Sequence, residues 1–172
     1  MGKREGLVDP LIWSLARDSQ GRIVLGSNSN VMRLTDSGIE ELVSTRQIPN
    51  LAAYEMSYDN RDRLWIGMRS GIALVDQNKV VTPEALGRLS SYQVNVIVPQ
   101  PDGGAWIGSQ DGLFRFDGNE WHKISYAAGT PEAPVRAIHI AANGTLTVGT
   151  ETGIRRLEGS ELRMLAWAKP IE

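Results

Sequence analysis

The chain has 172 residues, a formal charge of −2, 41% hydrophobic and 22% charged residues, and no cysteine. That length suits one domain with a real core, and the near-neutral balance gives no basic field for nucleic acid. The absence of thiols excludes disulfides, thiolate catalysis and cysteine-ligated zinc, and no apolar run reaches the roughly 18 residues of a membrane-spanning helix.

In chain order, the opening "MGKREG" is basic with no apolar stretch behind it, so no signal peptide is expected in this chain. "LIWSLAR" then alternates apolar and polar residues, the period of a strand. A turn, "DSQGR", leads into "RIVLGSNSNVMRLTD", two short apolar runs around Gly26 that read as a hairpin, and "IEELV" is expected to add a fourth strand. After the loop "STRQIPNLAA" the same order returns: "AYEMSY", "DNRDR", "RLWIGMRSGIALVD" and "KVVT". "PEALGRLSS" interrupts it; Glu84, Ala85 and Leu86 are good helix formers, so a loop with a local helical turn is expected. The third round is "VNVIVP", "QPDGG", "GGAWIGSQDGLFRFDG" and "EWHKIS". The fourth, after "YAAGTPEAPV", is "VRAIHI", "AANGT", "TLTVGTETGIRRLEG" and "ELRML".

These rounds are a repeat. Gly26, Gly67, Gly108 and Gly149 are spaced by 41 residues each time. A second turn glycine keeps phase at Gly71, Gly112 and Gly153, with Asn30 at the first copy, where asparagine is expected to share glycine's tolerance of a left-handed backbone. A period of about 40–45 residues is the size of one four-stranded propeller blade. The expected fold is therefore all-β: four tandem four-stranded antiparallel β-propeller blades, at about 11–51, 52–92, 93–133 and 134–170, in a single domain. Trp65 and Trp106 share one repeat position and are expected to pack between blades.

The segment "GGAWIGSQDGLFRF", and next to it "DRLWIGMRSGIALV", resembles the two-component regulator propeller repeat; Val24 and Thr147 stand where the outer copies would carry the tryptophan. The resemblance implies a non-catalytic ligand-sensing or protein-interaction module of a bacterial signal-transduction protein, often periplasmic, with a kinase, cyclase or DNA-binding output elsewhere in the parent. It also implies a ring of about seven blades.

The residues themselves carry little catalytic chemistry. His122 and His139 lie in strands and in no metal-binding spacing, there is no Gly-x-Ser-x-Gly elbow, and no phosphate-loop pattern. No cofactor is expected. An alternative resemblance is to propeller lyases of the streptogramin type, which would need a metal and His139, with Glu55 and Glu151 as the nearest acidic partners by repeat position. A recognition surface is instead sought where equivalent positions differ. One such row is Trp13, Tyr54, Asn95 and Arg136, near the start of each first strand. The other is Asn28, Arg69, Gln110 and Glu151, in the hairpin turns. Together they suit a small molecule or a glycan. Four blades that start near Leu11 and end near Ala166 would leave two open faces. A tight four-bladed ring, a head-to-tail homodimer closing an eight-bladed ring, or further blades of a parent protein would cover them, and the homodimer is the expected solution.

Overall fold

The computed structural model describes residues 9–81 and 93–165. The expected helical turn at "PEALGRLSS" lies outside these residues. The first sheet runs β1 (Ile12–Arg17), β2 (Ile23–Ser27), β3 (Asn30–Thr35) and β4 (Gly38–Ser44), hydrogen-bonded in that order. The second repeats it with β5 (Glu55–Tyr58), β6 (Leu64–Met68), β7 (Gly71–Asp76) and β8 (Lys79–Val80). The third has β9 (Val94–Pro99), β10 (Ala105–Ser109), β11 (Gly112–Phe116) and β12 (Trp121–Lys123). The fourth has β14 (Val135–Ile140), β15 (Leu146–Thr150), β16 (Gly153–Glu158) and β17 (Glu161–Met164), joined at its edge by β13 (Ser125–Tyr126). Among the described residues there is no helix.

Among the described residues, β13 is the one departure from a purely antiparallel plan. "EWHKIS" is not a single outer strand: after β12 the chain crosses to the next blade, where Ser125 and Tyr126 pair in parallel with Glu161 and Leu162. Tyr126 anchors the crossing, because its hydroxyl donates to the Ala133 carbonyl at 2.6 Å and its ring lies beneath the buried Arg155 guanidinium, 5.0 Å away.

The innermost strands meet in sequence: β1 packs on β5, β5 on β9, and β9 on β14. This order explains the burial patterns. The middle blades are covered on both faces, so every residue of β6 is buried, and its sequence is almost uniformly apolar. β1 has one covered and one open face, and its burial alternates residue by residue.

Gly108 shows why the repeat needs its first glycine. A Cβ there would lie 2.6 Å from Cγ1 of Val135 in the next blade and of Val96 in its own. The second turn position is a conformational requirement: Gly71, Gly112 and Gly153 have φ of 103°, 113° and 120°. Asn30 does not share it, contrary to expectation. It is not among the positive-φ residues; it is buried, and Ser27 Oγ donates to its carbonyl and to its side-chain oxygen at 2.9 and 2.7 Å. The turn closes there through side chains. Ser109 and Thr150 repeat the device by donating to the carbonyls of Gly112 and Gly153.

Trp65 is fully buried between the second and third blades, with its indole N–H donating to Asp59 at 3.1 Å. Trp106 is only half-buried at the third and fourth blades, under the Arg115 guanidinium. Burial pushes the Asp59 carboxyl up, but the N–H groups of Arg63 and Arg61, the Arg63 guanidinium and the Trp65 indole outweigh it and hold the group below its ordinary value. Asp18 closes the equivalent turn of the first blade with the backbone N–H and guanidinium of Arg22.

Candidate functional site

The first row of variable residues occupies a special backbone position. In β1 the register shifts between Ile12 and Ser14, so Trp13 is the extra residue of a bulge. β9 and β14 shift in the same place, at Asn95 and Arg136, and Tyr54 directly precedes β5. A bulge turns its extra side chain out of the alternation. The residues on either side of it face the neighbouring blades: Ser14 Oγ donates to the Ala53 carbonyl of the second blade at 2.6 Å. The bulged residues gather at one end of the inner strands.

There they form two groups. Trp13 and Tyr54 stand edge to face with ring centroids 5.1 Å apart, and the Trp13 indole donates to Asn28 Oδ1 at 2.8 Å. Trp13 remains 45% exposed, a large aromatic held in one orientation yet open to solvent. In the second group, Arg136 Nη1 donates to Asn95 Oδ1 at 3.1 Å, and its Nε donates to Glu151 Oε1 at 3.2 Å. Asn95 Nδ2 in turn donates to the Val135 carbonyl at 2.9 Å, which ties the third blade to the fourth. The structure thus brings Asn28 to Trp13 and Glu151 to Arg136, one residue from each row. Arg69 and Gln110 are exposed in their turns and join neither group through their side chains among the contacts described.

Two features were not visible in the sequence reading. Gln93 belongs to the second group: its Nε2 donates to Asn95 Oδ1 at 3.4 Å, and its carbonyl accepts from Gln110 N–H. Its position, two residues ahead of Asn95, was the available signal. At the opposite end of the first two blades, a cleft of about 330 Å³ is lined by Arg22, Arg33, Tyr58, Arg61, Asp62 and Asp76, among others. Its charges largely answer one another, with Arg22 on Asp18 and Arg33 near Asp18 and Glu40.

The residues of the lyase alternative are apart in character. His139 is exposed on β14, Glu151 is bound to Arg136, and Glu55 lies within hydrogen-bond reach of the Ile97 backbone N–H. Burial pushes the Glu55 carboxyl up, against the Ile97 and Met56 N–H groups that favour its ionised form. No group of three histidine or acidic residues able to hold a metal ion is found among the described residues. His122, at the outer edge, is 3.0 Å from Asp117.

No protein-family model and no curated protein matches the chain. Solved structures do. The extracellular domain of BT4673 from B. thetaiotaomicron, described as a one component system, superposes with a TM-score of 0.72 at 19% identity over 88% of this chain and 22% of that one. The extracellular domain of the hybrid two component system BT3049 from the same organism gives 0.70 at 19% identity, over 94% and 23%. Virginiamycin B lyase from Staphylococcus aureus gives 0.70 at 16% identity, over 95% and 59%. The chain spans about a fifth of the length of the two extracellular domains. The 41-residue period, the four sheets and these superpositions together identify the chain as four consecutive blades of a β-propeller.

Proposed function

We propose that this chain is a non-catalytic recognition module of a bacterial signalling protein, placed outside the cytoplasm, in the periplasm. The observation that carries the reading is the pair of groups at the inner strand ends: a fixed, open Trp13 beside Tyr54, and the Asn95–Arg136–Glu151 network. Two aromatic faces and an array of fixed donors and acceptors suit a polyhydroxylated small molecule or a short glycan. Aromatic rings cover the apolar faces of sugars, while guanidinium, amide and carboxylate answer the hydroxyls. The bulges supply positioning on rigid strands and not on mobile loops. The fold likeness to extracellular domains of signalling systems supports both the role and the location.

The test is a binding screen of the chain against a panel of soluble oligosaccharides, read by tryptophan fluorescence and calorimetry. Trp13→Ala and Arg136→Ala are each expected to weaken a hit at least tenfold, while Arg69→Ala leaves it unchanged. A hit insensitive to both Trp13→Ala and Arg136→Ala refutes the assignment.

A further inference from the structure

The interfaces between blades obey a positional rule. The second and third blades each turn six equivalent apolar positions back onto the blade before, and the fourth turns five, with Arg155 at the sixth. In the third these are Val94, Ile97, Ala105, Ile107, Phe114 and Phe116, all buried in the cluster that contains Trp65 of the second. Shifted back by two repeats of 41 residues, the same positions in the first blade are Ile12, Leu15, Ile23, Leu25, Met32 and Leu34. All six are apolar. Leu25 and Met32 are already buried, at 9% and 1%, yet Leu15, Ile23 and Leu34 are 64%, 38% and 40% exposed, where their third-blade equivalents are 3%, 0% and 3%. The first blade therefore carries an apolar face, exposed at Leu15, Ile23 and Leu34, with no blade of this arc against it.

The complementary face is on the fourth blade. The forward face of the first blade, which receives the second, includes Val24, Gly26, Val31 and Arg33; the fourth blade repeats it as Thr147, Gly149, Ile154 and Arg156. Thr147 has nearly the shape of Val24. The glycines show what is missing. A Cβ on Gly26, Gly67 or Gly108 would meet Ala53, Val94 or Val135 of the following blade at 2.8, 2.7 and 2.6 Å. A Cβ on Gly149 would meet only Ala137 of its own blade, at 3.5 Å. The residue that continues the series Ala53, Val94, Val135 is Ile12. Those three are wholly buried, whereas Ile12 is part-exposed.

We infer that the first-blade face of one chain docks on the fourth-blade face of a second copy, with Ile12 seated on Gly149, and that two copies close head to tail into an eight-bladed ring. The contact continues the interblade interface already built three times within the chain. Its closest template is the first-to-second contact, where Val24 and Gly26 receive the aliphatic face of Ala53, Met56, Leu64 and Ile66. Two-fold closure covers both open faces of both chains, while an unclosed head-to-tail contact would run on as a filament.

Sedimentation equilibrium and light scattering after gel filtration test this, from about 1 to 100 µM. The wild type is expected at the mass of two chains. Gly149→Ala has room within its own blade but not beneath Ile12, and is expected to weaken the dimer at least tenfold with unchanged circular dichroism. Leu15→Lys, on an exposed position of the opposite face, is expected to do the same without touching the fourth blade. A wild-type monomer throughout the range overturns the pairing and leaves blades from another source as the cover. A mass that grows without limit overturns the closed ring. A dimer indifferent to both substitutions overturns the seat.

Discussion

Trp65→Ala is the sharpest test of how the blades are held together. The side chain is wholly buried between the second and third blades, edge-on to Phe116 at 6.2 Å between centroids and donating to Asp59. Truncating a buried tryptophan costs roughly 3–5 kcal/mol through lost transfer energy and the cavity left behind. The loss of a donor to a buried carboxylate pushes the value to the upper part of that range. In a domain of this size each kcal/mol moves the melting midpoint by about 2–4 °C, so a fall of roughly 6–20 °C is expected. Trp106→Ala, at the same repeat position but half-buried under Arg115, is expected to cost about 1–3 kcal/mol. Arg69→Ala, in an exposed turn, is expected to cost about 0.5 kcal/mol or less. Urea denaturation by far-UV circular dichroism and tryptophan emission measures all three. Equal losses for Trp65→Ala and Trp106→Ala would refute the claim that enclosure between blades, and not the repeat position itself, sets the energy.

Gly108→Ala places a methyl 2.6 Å from two valine methyls, Val96 and Val135, and is expected to destabilise by about 1–3 kcal/mol in urea titration; a neutral result refutes the close approach. Glu55 has a carboxyl raised by burial, so its ionisation opposes folding: the native state is favoured while the group is protonated and loses that advantage as pH rises through the raised value. Glu55→Gln is therefore expected to match the wild type near pH 4 and to be the more stable protein at pH 7, and a pH-independent gap between the two urea midpoints contradicts this. Asp59 is the opposite case, with a lowered value, so its contribution is present above the ordinary carboxylate range and fades as pH falls through the lowered one. Asp59→Asn is expected to cost about 1.5–3 kcal/mol at pH 7 and progressively less in acid; a cost that grows on acidification rules the pairing out.

The sequence by itself determined the repeat, and with it the fold. An unbroken 41-residue spacing of Gly26, Gly67, Gly108 and Gly149, with strand-period runs between them, leaves few architectures other than stacked four-stranded blades. It also singled out Trp13, Tyr54, Asn95 and Arg136 as a non-equivalent row, because equivalent frame positions expose differences within one chain. Tertiary structure decided what those residues can do. A period-two reading assigns each strand residue to one of two faces and has no place for a bulge, so it could not say that Trp13, Asn95 and Arg136 gather at one end of the inner strands. Nor could it pair Trp13 with Asn28 or Arg136 with Glu151, since those bonds join the start of one strand to the turn after the next. Asn30 is the instructive miss. Residue type suggested a left-handed turn, but Ser27, three residues earlier, offered its side chain a buried hydrogen bond, and satisfying that amide decided the conformation. Burial was decided last and most remotely. Trp65 and Trp106 are the same residue at the same repeat position, and only the blade packed against each one makes the first a core residue and leaves the second partly exposed.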